Sequence, residues 1–204
     1  SSEAADLLEQ TVMRYTMSQL PLDLLMTIDF DRARPYILKF AVETALERTS
    51  ILTWVREHLR NGTVEVAARL LELFRDHYVG TPELATVAEV WYGTRRYSQI
   101  ADIVDETLST LSISIIVMPS IDLPYIVSLM RTGRADRARE YTRRLIKHLT
   151  ENESLVPDVA DIDRATATCL RLGFLQTLTR LDSMMAEGIT DMPEDFDPIS
   201  HPAS

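Results

Sequence analysis

Leu129-Met130-Arg131-Thr132-Gly133-Arg134-Ala135-Asp136-Arg137-Ala138-Arg139-Glu140 is the stretch that decides the fold. It reads as the end of one helix, a turn at Gly133 and the start of a second helix. Glycine at the turn supplies a backbone conformation that other residues resist. Five residues later Ala138 is small enough to let two antiparallel helices approach closely.

The same arrangement recurs along the chain. Ala33, Ala67, Ala101 and Ala138 form one column, with Leu178 as its last member, at steps of 34, 34, 37 and 40 residues. Seven residues after each stands a large apolar side chain: Phe40, Phe74, Leu108, Leu145 and Met185. Five residues before each lies the turn column, Ile28, Gly62, Arg96, Gly133 and Gly173. A period of about 34 residues is the length of a helix–turn–helix repeat. One hairpin cannot bury its apolar face alone, so hairpins stack. The expected fold is all-α, a right-handed α-solenoid of about five stacked hairpins. It occupies 1–190 as one repeat domain, and an irregular acidic tail follows over 191–204.

Taken in order, the predicted helices are 3–19, 22–28, 32–48 with Pro35 in its first turn, and 51–60 capped by Ser50. Next come 64–78, 82–92 opened by Thr81 and Pro82, 98–111, 124–132 and 134–150. The last predicted hairpin is 158–172 and 174–187, turning at Gly173. Residues 112–118 hold the β-branched run Ile113, Ile115, Ile116 and Val117, which favours a strand by propensity. Their helical surroundings point instead to a helix end and a buried connector.

Composition narrows the function. The net charge of −10 argues against general nucleic-acid binding, which needs a basic surface. The charge is uneven, because residues 131–147 carry seven basic and two acidic side chains. A single cysteine, Cys169, excludes an intrachain disulfide and a cysteine metal cluster. It reads as packed core on an apolar helix face. His58, His77, His148 and His201 lack partners at helical spacing, so no metal or other cofactor is expected. The acidic pairs Asp29/Asp31, Asp161/Asp163 and Asp195/Asp197 read as helix caps. Trp54, Trp91 and Tyr92 fall in core-facing slots. The longest apolar stretch, 111–121, is far below the roughly 20 residues that span a bilayer, so no membrane is expected as a partner. No nucleophile motif or phosphate loop is present, and the chain reads as non-enzymatic.

Two features carry a resemblance. Pro157-Asp158-Val159, Cys169-Leu170-Arg171-Leu172-Gly173 and Met184-Met185-Ala186-Glu187-Gly188-Ile189 resemble the punctuation of pentatricopeptide repeats. Gly133-Arg134-Ala135-Asp136-Arg137-Ala138 is similar to the inter-helix turn of that family and of tetratricopeptide repeats. The resemblance covers about residues 50–193. It implies single-stranded RNA binding in an organelle, the mitochondrial matrix; without it the expected place is the cytoplasm. It puts base-reading positions at Leu52, Thr86, Leu123 and Asp163, and a basic ladder at Arg60, Thr94 with Arg95 adjacent, Arg131 and Arg171. Leucine cannot hydrogen-bond a base edge, so RNA contact would run through the backbone.

The candidate binding residues are therefore this ladder and the helix face Arg139, Arg143 and Lys147, spaced i, i+4, i+8. Two functions stay open. One is a scaffold or adaptor that binds protein subunits of a larger, even ribonucleoprotein, complex. The other is a pentatricopeptide-like RNA-binding factor in organellar RNA processing or translation.

Overall fold

The computed structural model describes residues 2–14, 19–152 and 164–189. Among them there is no strand, and there are ten α-helices. The helices are α1 (Ser2–Arg14), α2 (Gln19–Ile28), α3 (Phe30–Glu43), α4 (Arg48–Arg60), α5 (Val64–Leu73), α6 (Leu84–Gly93), α7 (Tyr97–Leu111), α8 (Pro119–Arg131), α9 (Ala135–Glu151) and α10 (Arg164–Ala186). A 3₁₀ turn covers Arg75–Tyr78. The chain divides into two compact units, Ser1–His77 and Tyr78–Ser204.

In the first unit α2 packs on α3, α4 on α5, and α1 on both α2 and α3. Asp29 caps α3 by accepting the Arg32 N–H. That helix buries Phe30, Ala33 and Ile37, spaced i, i+3, i+7. Its start at Phe30 puts Pro35 in the second turn rather than the first. It ends at Glu43, where Ala45 takes a left-handed conformation, five residues short of the predicted end. The following helix starts at Arg48, so Ser50 lies inside it and is not its cap. Likewise α5 stops at Leu73, and the 3₁₀ turn replaces its predicted last turn.

In the second unit α8 is central. Every residue from Ile121 to Met130 is buried, because α6, α7 and α9 all pack on it. It begins at Pro119, not Pro124. A proline at the first position loses no helical hydrogen bond, and Pro124 is tolerated within a fully packed helix. Helix α9 turns one stripe inward, Ala138, Tyr141, Thr142, Leu145 and Leu149. Helix α6 starts at Leu84, two residues after Pro82, because Thr81 first closes a turn on Tyr78.

One device closes many of these helices. At Gly62 the residue in the left-handed region donates its N–H to the Leu59 carbonyl, and Thr63 donates to His58. Gly133 and Arg134 bond Met130 and Leu129 in the same way. The pattern recurs at Ala45, Arg95, Ser112 and Gly188, the double bond of a Schellman cap.

This corrects the repeat register. In the third hairpin the turn residue is Arg95 (φ 58°), not Arg96, so the steps between turns are 33 and 38 residues. The position matching Ala67 and Ala138 is then Ile100, with Ala101 its neighbour. All of these, and Ala33, are fully buried, so the column marks helix contacts, but at the third hairpin its member is the large Ile100 rather than a small residue.

A larger correction concerns Gly173. It lies inside α10, which continues to Ala186, and its φ is not positive. The described chain therefore holds four hairpins, α2–α3, α4–α5, α6–α7 and α8–α9, rather than about five. The buried stripe Phe174, Leu178, Leu181 and Met185 docks on α9. That contact offsets the modest cost of one helical glycine, roughly 1 kcal/mol. Residues 113–118 are neither helix nor strand, and they are half-exposed or exposed rather than buried. The Ser112 cap ends α7 before them. The predicted irregular tail, Pro157-Asp158-Val159, Asp161, Asp163 and His201 lie outside the described residues.

Candidate functional site

The basic ladder does not form one row. Arg60 and Arg131 each end a helix, two residues before a turn glycine. Arg95 is itself the turn residue. Arg171 lies mid-helix and donates from Nη1 to the Leu149 carbonyl at 3.0 Å, near the end of α9. Arg131 places its guanidinium 5.9 Å from the Tyr97 ring centre. The columns implied by the resemblance are also inward in part: Leu52 and Leu123 are core residues, and Asp163 is outside the described residues.

The helix face is engaged as well. Arg139 and Arg143 both donate through Nε to Asp182 Oδ1 of α10, at 3.2 and 3.1 Å. Lys147 pairs with Glu151 at 3.9 Å. Around them Arg144 bonds Glu140, Arg137 meets Asp105 at 2.6 Å, and Arg134 meets Asp102 at 3.2 Å. The most basic segment of the sequence thus ties α9 to α7 and α10. Exposed pairs of this kind contribute little each, about 0–1 kcal/mol. Their consequence is local neutralisation.

Two polar clusters were not legible in the sequence. In the first unit, Trp54 Nε1 donates to Asp23 Oδ1 at 2.5 Å, and His58 Nε2 stands 3.5 Å from the same oxygen. His58 Nδ1 lies 2.9 Å from the Thr63 hydroxyl. This chain of contacts joins α2, α4 and the start of α5. Trp54 and Trp91 are core residues as expected, whereas Tyr92 is half-exposed, with its ring edge-on to Tyr97.

In the second unit, Asp122 of α8 is wholly buried. It accepts from the Tyr141 hydroxyl at 2.5 Å and from the Met118 N–H at 2.6 Å. Burial pushes its carboxyl up to about 7, against the smaller opposing effect of those two bonds. Burial also raises Tyr141, and the Asp122 charge raises it further. Tyr125, edge-on to Tyr141 at 4.8 Å, bonds Asp105 and is raised by burial first. A cavity of about 410 Å³ adjoins the two rings, with Ile113, Ser114, Arg137 and Arg144 on its wall. The available sequence signal was a single acid within the apolar run 121–130.

Cys169 is exposed, not core. It sits about 140° around α10 from Phe174, off the buried stripe, by the 100° turn per helical residue. Among the described residues no group of three His, Cys, Asp or Glu side chains is placed to hold a metal, and no helix is long and apolar enough to cross a membrane.

The first unit also presents an outward apolar surface. Helix α2 buries Leu22, Leu25 and Met26 on one side. On its other side Leu20, Leu24 and Ile28, spaced i, i+4, i+8, are 68%, 49% and 45% exposed. On α3 Leu38 and Val42 are exposed too, Val42 at 81%. Beside them a cleft of about 450 Å³ is floored by Ala41, Leu46, Leu73 and Phe74.

No protein-family model matches the chain, and neither a curated protein nor a solved structure shows significant similarity to it.

Proposed function

We propose that the protein is a non-enzymatic helical-repeat scaffold, a right-handed solenoid of tetratricopeptide-like hairpins, that binds protein partners within a larger complex. The supporting observation is the outward stripe Leu20, Leu24 and Ile28 on α2. A contiguous apolar stripe left exposed along a helix is the kind of surface that another chain covers. A partner helix with apolar residues at i and i+4 matches this stripe in spacing and character.

The pairing of Arg134, Arg137, Arg139 and Arg143 with Asp102, Asp105 and Asp182 weighs against the RNA reading. Phosphate binding would have to displace these carboxylates on a chain of net charge −10. Filter binding of single-stranded RNA against salt concentration tests the choice. The scaffold reading expects no retention even at low salt. Retention with a steep salt slope, lost in Arg139→Glu/Arg143→Glu, would replace it with the RNA reading.

A further inference from the structure

Helix α3 carries an outward stripe of its own. Arg34, Leu38 and Val42 stand at i, i+4 and i+8, about one helical turn apart, and all three are exposed. The cleft floored by Ala41, Leu46, Leu73 and Phe74 lies directly beside this stripe. It forms because α3 packs on α2 while α5 packs on α4. Arg69 of α5 reaches across to the start of α3, pairing with Asp31 at 2.5 Å and covering the Phe30 ring. Projecting apolar side chains thus stand next to an apolar recess on one face of the first unit.

Two charged side chains border the stripe with no partner of their own. The Arg34 guanidinium, one turn before Leu38, and the Glu47 carboxylate, just past Leu46, make no ion pair or hydrogen bond among the described residues. Glu47 stands at the start of α4, and its side chain makes no cap bond there. Other charges around the stripe are paired within the chain: Asp31 with Arg69, Lys39 with Glu43 at 3.7 Å, and Arg75 with Asp76 at 3.5 Å. The stripe therefore has one spare cation at one end and one spare anion at the other.

We propose that this face of α3 is a self-association surface, covered by the same face of a second copy of the chain in an antiparallel, two-fold arrangement. A two-fold contact needs a patch that is complementary to itself. A projection beside its own recess meets that condition. With the axis between Leu38 and Val42, Leu38 of each copy lies opposite Val42 of the other, and each Val42 faces the other copy's cleft. Arg34 lies six residues from that axis, about 9 Å along the helix. The axis sets it opposite the end of the other copy's α3, where the chain turns through Leu46 to Glu47. Two Arg34–Glu47 pairs then flank the apolar centre. The net charge of −10 opposes association of like chains in general. Here the paired rim removes that opposition locally, and the two spare charges attract across the axis. The surface is separate from the α2 stripe, and the proposal does not rest on the scaffold reading.

Sedimentation equilibrium of the full chain, run up to about 100 µM, tests this. The wild-type protein should show a monomer–dimer equilibrium. Val42→Glu should abolish the dimer and leave the circular dichroism unchanged, because that side chain is exposed. Arg34→Glu and Glu47→Arg should each weaken the dimer roughly tenfold, since each removes two exposed pairs. The double variant R34E/E47R restores both pairs with their signs exchanged, and should return the dimer to near wild-type strength. Leu24→Glu/Ile28→Glu should leave it intact. A wild-type protein that stays monomeric throughout, a dimer that survives Val42→Glu, or single charge variants not rescued when combined would overturn the proposal. So would a dimer lost in Leu24→Glu/Ile28→Glu, which would place self-association on α2. The scaffold reading is judged separately, by peptide binding at α2.

Discussion

Replacing single glycines by alanine should move stability in opposite directions at Gly173 and at Gly133. None of the relevant glycines is packed tightly: a Cβ built on Gly62, Gly133 or Gly173 meets nothing within 4 Å. Sterics with neighbours therefore drop out, and the backbone alone sets the sign. Gly173 is helical, and alanine there should stabilise by about 0.5–1 kcal/mol, the difference in interior helix propensity. Gly62 and Gly133 both have φ 74°. A Cβ in that conformation costs about 1–2 kcal/mol. The stiffer unfolded chain returns roughly 0.4–1 kcal/mol of it. The net expected loss is about 1 kcal/mol for Gly133→Ala and the same for Gly62→Ala. Urea unfolding, with the slope checked for constancy, reads both signs. Gly173→Ala destabilising as much as Gly133→Ala would place Gly173 at an inter-helix turn, restore the fifth hairpin and refute the continuous α10.

Three further outcomes follow from the packing. Ala138→Trp forces a large ring into a fully buried helix contact. It should cost about 1–3 kcal/mol or more by overpacking, read as a fall in melting temperature. Ala45→Gly relieves a non-glycine residue at φ 49° on an exposed cap and should stabilise by about 0.5–1 kcal/mol in denaturant titration. Asp182→Ala removes the shared acceptor of Arg139 and Arg143. It should cost only about 0.5–1 kcal/mol, a loss that shrinks as salt is added.

The hairpins were legible where the turn residue was glycine. Gly62 and Gly133, with Ala67 and Ala138 five residues on, located the turns of α4–α5 and α8–α9, while the outer ends of α5 and α8 were each five residues off. At the third hairpin the left-handed residue is Arg95, which carries no turn signal, so the repeat slipped by one. Gly173 misled in the other sense. A glycine marks a turn by permitting positive φ, but it does not require it, and the Phe174–Met185 stripe continues the helix through it. The connector 113–118 misled by composition, because its isoleucines imply burial that the Ser112 cap prevents.

Site geometry was harder to read, since it depends on contacts between elements. The row Arg139, Arg143 and Lys147 was visible, but Asp182, 39 and more residues from those two arginines, was not a foreseeable partner. Asp122 gave only the anomaly of an acid among apolar residues. The outward stripe on α2 was hidden because Leu20 to Ile28 holds apolar residues on both faces. Only packing on α1 and α3 reveals which face is spare.

The most direct test of the scaffold account is a selection of displayed helical peptides on the immobilised protein, followed by titration of a selected peptide against two variants. The account predicts peptides with apolar residues at i and i+4. Their binding should be lost in Leu24→Glu/Ile28→Glu, with the circular dichroism of the protein unchanged, and retained in Arg139→Glu/Arg143→Glu. Binding that survives the α2 substitutions and disappears with the arginines would contradict it.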